Sequence, residues 1–140
     1  MIRIGSPSWA LQLLSVAVLS GCFALPEAVA APPFSPEAIC RTAIASITGR
    51  DPRIMQITRI DGETLFLSCV RPIDNFVWDY RCRIEGNRMI WASEPGRWRD
   101  GPKDDKVSFE VVSDGRQLRI VDDHGNGSAT TELFDRDRIQ

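Results

Sequence analysis

The alternation of apolar and polar positions divides the chain into an apolar leader, one helical segment and a long series of strands. The helical segment spaces its apolar residues three or four positions apart, so that they share one face: Cys40, Ala43, Ile44 and Ile47. Ser35-Pro36-Glu37 precedes this face with an N-cap, a proline and an acidic residue in the first turn. Gly49 follows it as a C-terminal stop. The pattern predicts one short helix.

The sequence after residue 52 is typical of β-strands joined by tight turns. Asp61-Gly62, Gly86-Asn87 and Asp114-Gly115 suit two-residue hairpin turns, and residues 72–75 and 124–127 suit longer loops. We therefore predict seven strands, at about 53–60, 63–71, 76–85, 88–93, 107–113, 116–123 and 128–134. The predicted fold class is α+β, with one N-terminal helix packed on a curled, mostly antiparallel meander.

The turn lengths also predict which residues face each other across the first four strands. The expected pairs are Ile54–Cys69, Thr58–Leu65, Leu65–Cys82, Cys69–Trp78, Cys82–Trp91 and Ile84–Met89. This register collects apolar side chains on one face, where we expect the helix to pack: Leu65, Leu67, Trp78, Tyr80, Cys82, Ile84, Met89 and Trp91.

In the last three strands the same reasoning places opposite charges together. Glu110 should face Arg119, and Arg119 should face Glu132, which makes an acid–base–acid ladder on one side of the sheet. The other side should hold the apolar residues Phe109, Val111, Leu118, Ile120 and Leu133.

Three cysteines fall in the predicted domain, and their spacing does not fit a zinc site. Cys69 and Cys82 are about 13 Å apart along the predicted strands, whereas a disulfide requires about 4.4–6.8 Å between Cα atoms. Cys40 lies about 13 Å from Gly49 along the helix. The first strand should run antiparallel beside the helix, and the position about 13 Å along that strand is level with Cys82. We therefore predict a Cys40–Cys82 disulfide and a buried free thiol at Cys69, beside Trp78.

Residues 1–30 are typical of a signal peptide. Arg3 precedes an apolar run from Trp9 to Leu19, which is short for a membrane span and leads into small residues. Cleavage of a signal peptide would deliver the domain to an oxidising compartment, the periplasm or the exterior.

Two cleavage sites are open. Leu19-Ser20-Gly21-Cys22 is similar to the lipobox of bacterial lipoproteins, so that a leader of residues 1–21 would be removed and Cys22 lipidated. Ala28-Val29-Ala30 fits cleavage by an ordinary signal peptidase. Residues 31–34 are then expected to form a spacer, and residues 35–140 a single domain.

The composition limits the function. The 140 residues are 43% hydrophobic and 26% charged, which suits one globular domain. The 17 basic and 19 acidic residues give a net charge of −2, which argues against nucleic-acid partners and against a polybasic membrane surface. Membrane contact is expected only through a lipid on Cys22.

His124 is the only histidine, which excludes metal sites built from several histidines.

The segment after the sixth strand partly matches a calcium-binding loop, at positions one, three, five and six: Asp122, His124, Asn126 and Gly127. Leu133 stands where the bidentate glutamate is required. A polar hairpin tip is therefore the preferred interpretation, and we predict neither a metal nor a cofactor.

No residues carry a recognisable catalytic motif. A Gly-x-Ser-x-Gly elbow and a phosphate-binding glycine loop are both missing from the sequence. Asp104 and Asp105 fall in a polar loop, where nothing should raise their pKa values for acid catalysis. We expect a protein that is not an enzyme. The alternative is a small hydrolase, which would require a concave pocket that holds His124 together with a carboxylate.

The long connection at 94–106 is the best sequence candidate for a binding surface. It contains Arg97, Trp98 and Arg99, residue types that dominate binding hot spots. Arg81, Arg83 and Arg88 add to a locally basic region in a slightly acidic chain. One interpretation is that these six residues bind a partner. The other is that Trp98 folds back over the open end of the sheet and the arginines are solvated.

Three short motifs, Glu85-Gly86-Asn87-Arg88, Ile90-Trp91-Ala92 and Gly96-Arg97-Trp98-Arg99, make residues 38–133 similar to small exported bacterial proteins of unknown function. The resemblance implies an envelope or secreted setting and carries over no activity. We expect a non-catalytic binding protein, periplasmic or tethered to the outer membrane, whose partner is a protein or another envelope component. A structural envelope lipoprotein is the alternative besides the hydrolase.

Overall fold

The computed structural model describes Gly5 and residues 32–140. The predicted leader, apart from Gly5, lies outside the described residues, as do Cys22 and both cleavage sites. Within the described part, no helix has the length and apolar character needed to cross a membrane.

Helix α1 spans Pro36–Thr48, as the sequence predicts. The Ser35 hydroxyl accepts a hydrogen bond from the Ala38 N–H, 3.2 Å away, and so caps the first turn. Gly49 ends the helix with a φ of 65°, the left-handed conformation that glycine adopts without strain.

Seven strands follow in one open antiparallel sheet, in which each strand pairs with its neighbours in the chain. They are β1 Met55–Asp61, β2 Thr64–Val70, β3 Val77–Glu85, β4 Arg88–Ser93, β5 Lys106–Val112, β6 Gln117–Asp123 and β7 Ala129–Asp135. Short 3-10 helices span Pro52–Ile54 and Arg136–Arg138. The α+β prediction of a helix on a meander is confirmed.

Three of the predicted registers are correct. Cys69 faces Trp78 and Leu65 faces Cys82 between β2 and β3. Between β3 and β4, Cys82 faces Trp91. Tight turns join β3 to β4 and β5 to β6, and the Glu110–Arg119 pair of the latter hairpin is confirmed with a 2.6 Å ion pair.

The predicted β1–β2 register is wrong, because the turn and the strand each differ from the simple pattern. Asp61 pairs with Thr64, so the turn residues are Gly62 and Glu63. A β-bulge then leaves Thr58 without a partner, and Cys69 faces Met55 instead of Ile54. This shift moves Met55 into the core.

The predicted β6–β7 register is also wrong, by one residue. The connection is longer than the predicted 124–127 loop and is closed by a hydrogen bond from the His124 N–H to the Ser128 carbonyl. Arg119 therefore faces Leu133, and the acid–base–acid ladder stops at two charges. Leu133 is exposed, and Phe134 packs against the core in its place.

The main core lies between α1 and the sheet, since α1 contacts strands β1 to β6. Phe34, assigned to the spacer by the sequence, is buried in this core, so the packed part of the chain begins before residue 35. Trp78, expected under the helix, remains 37% exposed. Helix α1 ends at Thr48, and the ring contacts the Arg50 guanidinium and the ring of Phe76 instead of the helix.

The Cys40–Cys82 disulfide is confirmed, with 6.0 Å between the Cα atoms. It joins the first half of α1 to the middle of β3. Cys69 is a buried free thiol, as predicted. The segment before β1 also lies near the end of the chain, since one groove is lined by Asp51, Pro52, Arg53, Phe134, Arg138 and Ile139.

Candidate functional site

The 94–105 loop fills a gap between β4 and β5, which pair only through Arg88–Ser108 and Met89–Val107. Farther along β4, beyond Met89, the loop takes the place of β5: the Arg99 N–H donates to the Trp91 carbonyl at 2.8 Å. Consecutive side chains of this loop therefore reach different faces: Trp98 stacks on the face opposite α1, whereas Arg99 stacks on Trp91, which belongs to the helix side.

Trp98 lies half-buried between two arginines of β3. The guanidinium carbon of Arg81 is 4.7 Å from its ring centroid and that of Arg83 is 4.4 Å away. Arg81 forms an ion pair with Glu94, and Arg83 reaches Asp100 at 3.1 Å. Stacking and ion pairs thus hold these two arginines in place. Trp98 covers the face of the sheet opposite α1, and it does not cover the open end of the sheet.

The remaining basic residues of the predicted binding set are separate from this stack. Arg97 is 67% exposed and forms two 2.7 Å hydrogen bonds with the Asp104 carboxylate. Arg97, together with the Gly101 N–H, holds the pKa of Asp104 at about 2. Arg88 faces Glu85 at the other end of β4. The structure therefore brings Arg81, Arg83 and Trp98 together and disperses the other three.

The β2–β3 hairpin carries an exposed apolar cluster that the sequence analysis missed. We call this cluster the hairpin tip; it comprises Val70, Ile73, Phe76, Val77 and Trp78. The apolar pattern predicts that Trp78 is buried, and it predicts only a loop for the turn residues. The available signal was the density of apolar residues around a predicted turn.

A groove of about 200 Å³ opens beside the end of the long loop. Its walls combine apolar, basic and acidic side chains: Ile47, Trp91, Arg99, Lys103, Asp104, Asp105, Val107 and Asp122. The sequence did not predict this groove, because it depends on where the loop returns to the sheet.

His124 connects this groove to the β6–β7 hairpin. Its Nδ1 lies 3.0 Å from Asp105 Oδ2 and 3.9 Å from Asp122 Oδ2, and its Nε2 lies 3.1 Å from Thr130 Oγ1. The hydrogen bond with Asp105 raises the pKa of His124. Burial, and then the charge of Asp105, raise the pKa of Asp122.

These contacts bring His124 and two carboxylates together, as the hydrolase alternative requires. Of these four residues, however, only Asp105 and Asp122 are among the described residues that line the groove; His124 and Thr130 are not. No protein-family model, curated protein or solved structure matches the chain.

Proposed function

We propose that this protein is an exported, non-catalytic binding protein whose hairpin tip inserts into an apolar groove of a protein partner. The observation that carries the proposal is the exposure of five neighbouring apolar side chains at the hairpin tip. Apolar patches of this kind are typical of interaction sites, and Trp is enriched among the residues that dominate binding energy.

The side chains of the hairpin tip lie on both faces of the hairpin, since Val77 and Trp78 are consecutive residues of β3. Val70 and Val77 are directly opposite each other in the β2–β3 ladder. The Phe76 and Trp78 rings meet edge to face, with 4.9 Å between their centroids. Ile73 is 87% exposed at the turn itself. Together they make the end of this hairpin apolar on both faces and exposed to solvent.

Hydrogen bonds within the turn support the hairpin tip. The Arg71 N–H donates to the Phe76 carbonyl and the Asn75 N–H donates to the Arg71 carbonyl, each at 2.8 Å. The Asp74 carboxylate accepts from Arg71 and from the Phe76 N–H. A preorganised turn loses little conformational entropy when it binds, which favours recognition.

The charges beside the hairpin tip favour a protein over a bilayer. Arg50 stacks on Trp78 and Arg71 pairs with Asp74, while Asp79 adjoins Trp78 in the sequence. Basic and acidic groups are therefore balanced here, whereas surfaces that bind anionic lipids concentrate lysine and arginine.

The signal-peptide pattern and the disulfide support export, since disulfides persist in oxidising compartments. Intact-mass spectrometry of the full chain expressed in its host tests this part of the proposal. A mass that begins at Cys22 with added acyl chains supports an outer-membrane tether, and a mass that begins at Ala31 supports a periplasmic or secreted form. An unprocessed chain would contradict export.

Photo-crosslinking tests the binding proposal. The full chain is expressed in its host with a photoreactive residue in place of Ile73, and the control carries it in place of Asp114, an exposed residue at another hairpin turn. We expect one discrete crosslink to a second protein from position 73, none from 114, and loss of the crosslink in Phe76→Asp. Crosslinks to lipid alone, to a second copy of the chain alone, or to nothing would overturn the proposal.

A small hydrolase is the second candidate, favoured by the contacts from Thr130 through His124 to Asp105. Their order and lengths are those of a hydroxyl nucleophile, a base and an orienting acid. Hydrolysis of a panel of chromogenic esters tests it, with Thr130→Val, His124→Gln and the matched control Thr131→Val. Activity that survives Thr130→Val, or that is undetectable in the wild-type chain, would exclude this candidate.

A further inference from the structure

We infer that Asp105, Asp122 and His124 form a binding site for a single zinc ion at the wall of the 200 Å³ groove. The inference goes beyond the binding function proposed above and does not depend on it. The three residues come from three parts of the chain: the end of the long loop, strand β6 and the β6–β7 connection.

The separations between the candidate ligand atoms suit zinc. One ligand atom from each residue lies within 4.8 Å of the others. Zinc binds imidazole nitrogen and carboxylate oxygen at about 2.0–2.2 Å, so tetrahedral ligands are about 3.3–3.5 Å apart. The two distances from His124 Nδ1, 3.0 Å to Asp105 and 3.9 Å to Asp122, lie on either side of that value.

The second ring nitrogen of His124 is held as in a metal-ligating histidine. Its Nε2 lies 3.1 Å from the Thr130 hydroxyl oxygen, which can accept the Nε2 proton. In the metal-free chain Nδ1 faces the two carboxylates and its proton serves the hydrogen bond to Asp105; zinc would displace that proton, and the Nε2–H bond to Thr130 would keep the ring in the ligating tautomer. Metal-bound histidines usually donate their other N–H to a neighbouring acceptor in this way.

Asp122 supplies an independent indication. Its side chain is only 15% exposed, and its Oδ1 has less than 1 Å² of accessible surface. This oxygen has no hydrogen-bond partner among the described residues. Desolvating a carboxylate oxygen without a partner costs free energy. The oxygen that faces His124 is the other one, Oδ2, and a cation bound to the same carboxylate would compensate for that cost.

The position of the groove favours an ion over catalysis by a Thr130 nucleophile. Both carboxylates line the groove, whereas His124 and Thr130 lie behind them, so a ligand in the groove meets the carboxylates and does not meet the hydroxyl that a hydrolase would use as its nucleophile. A Ser-His-Asp arrangement also uses one acid, whereas here two carboxylates lie within 4 Å of the same imidazole nitrogen. The groove leaves room for water or an anionic group as the fourth ligand, and Arg99 and Lys103 on its walls suit an anion.

Zinc titration of the full chain, stripped with EDTA and followed by calorimetry, tests the site. We expect one equivalent of Zn²⁺ to bind with a Kd in the micromolar range or tighter. His124→Gln and Asp122→Asn should each weaken binding by about tenfold or more. Asp123→Asn makes the same chemical change one residue away, and its Oδ1 can still accept from the Gly125 N–H. This control should bind zinc as the wild type does.

Cobalt reports the ligands directly, because tetrahedral Co²⁺ absorbs in the visible range. We expect these bands in the wild type and in Asp123→Asn, and their loss in His124→Gln. Binding of Ca²⁺ or Mg²⁺ in preference to Zn²⁺ would overturn the assignment, as would equal affinities in all four proteins.

A measurement on the wild type alone covers the case in which the variants fail to fold. A ligand that binds only the folded state raises the unfolding temperature. Zinc in hundredfold excess over its Kd should therefore raise the Tm of the stripped wild-type chain by several degrees. An unchanged Tm, or no binding in the titration, would overturn the inference.

Discussion

The Ser46 hydroxyl donates a hydrogen bond to the Glu132 carboxylate, which ties the last turn of α1 to strand β7. Glu132 can reach the helix because it faces Ile120, a core residue, across the β6–β7 ladder. It therefore belongs to the helix side of the sheet, although its charge suggests the solvent side. The contact fixes an edge strand that α1 otherwise contacts little.

Replacing Glu132 by alanine should lower the free energy of unfolding by about 0.5–1.5 kcal/mol, the usual net contribution of one such hydrogen bond. Glu132→Gln keeps an acceptor and should cost less. Thr131→Ala, an exposed neighbour on the same strand, serves as the control and should change stability by less than about 0.5 kcal/mol. Equal losses in Glu132→Ala and Thr131→Ala, measured by urea denaturation, would contradict this role.

Removing the Cys40–Cys82 disulfide should destabilise the domain by about 2–4 kcal/mol, because the bond constrains the unfolded chain between α1 and β3. The Cys40→Ala/Cys82→Ala double variant tests this by chemical denaturation. A reducing agent should lower the Tm of the wild type and of Cys69→Ala but leave that of the double variant unchanged. Loss of reductant sensitivity in Cys69→Ala would show that the pairing is different.

Trp98→Ala should destabilise the domain by about 1–2 kcal/mol, since it removes a partly buried ring and its two cation–π contacts, with Arg81 and Arg83. Arg97→Ala is the matched control from the same loop; its surface ion pair should contribute less than about 1 kcal/mol.

The stacked position of Trp98 can also be tested by fluorescence. In Arg81→Ala/Arg83→Ala the tryptophan emission spectrum should shift toward that of more exposed tryptophan. An unchanged spectrum in that variant would contradict the stacked position.

Asp51 should contribute to the acid stability of the domain. Arg53 donates hydrogen bonds from its side chain and its backbone to this carboxylate, and these lower the pKa of Asp51 from 3.8 to about 2. A lowered pKa in the folded state means that the contribution is complete above about pH 4 and is lost as the pH falls toward 2. The unfolding free energy of Asp51→Asn should therefore fall less steeply over this range. Parallel pH profiles in the wild type and Asp51→Asn would contradict the prediction.

The fold could be predicted from the sequence where turns are short and strands are regular. The Gly86-Asn87 turn and the Asp114-Gly115 segment fixed their registers, and the level of Cys82 then followed well enough to select Cys40 as its partner. The β1–β2 register could not be predicted, because a bulge at Thr58 inserts a residue without any mark in the apolar pattern.

The candidate sites were harder to predict because they depend on loops. Asp105 reaches His124 only through the path of a long irregular connection, which has no periodicity to extrapolate. Thr130 reaches it through a register that the loop length shifts by one. The sequence places Arg81 and Arg83 in a basic region, but their stacking on Trp98 depends on the path of the same loop.

The burial of Phe34 limits how far the domain can travel from a membrane. If Cys22 is acylated, only residues 23–33 separate the lipid from the first side chain locked into the core. Fully extended, at about 3.3–3.6 Å per residue, that tether reaches about 36–40 Å. A lipid-anchored form would therefore keep the start of its folded domain within about 40 Å of the bilayer surface, which favours partners that lie in or near the same membrane.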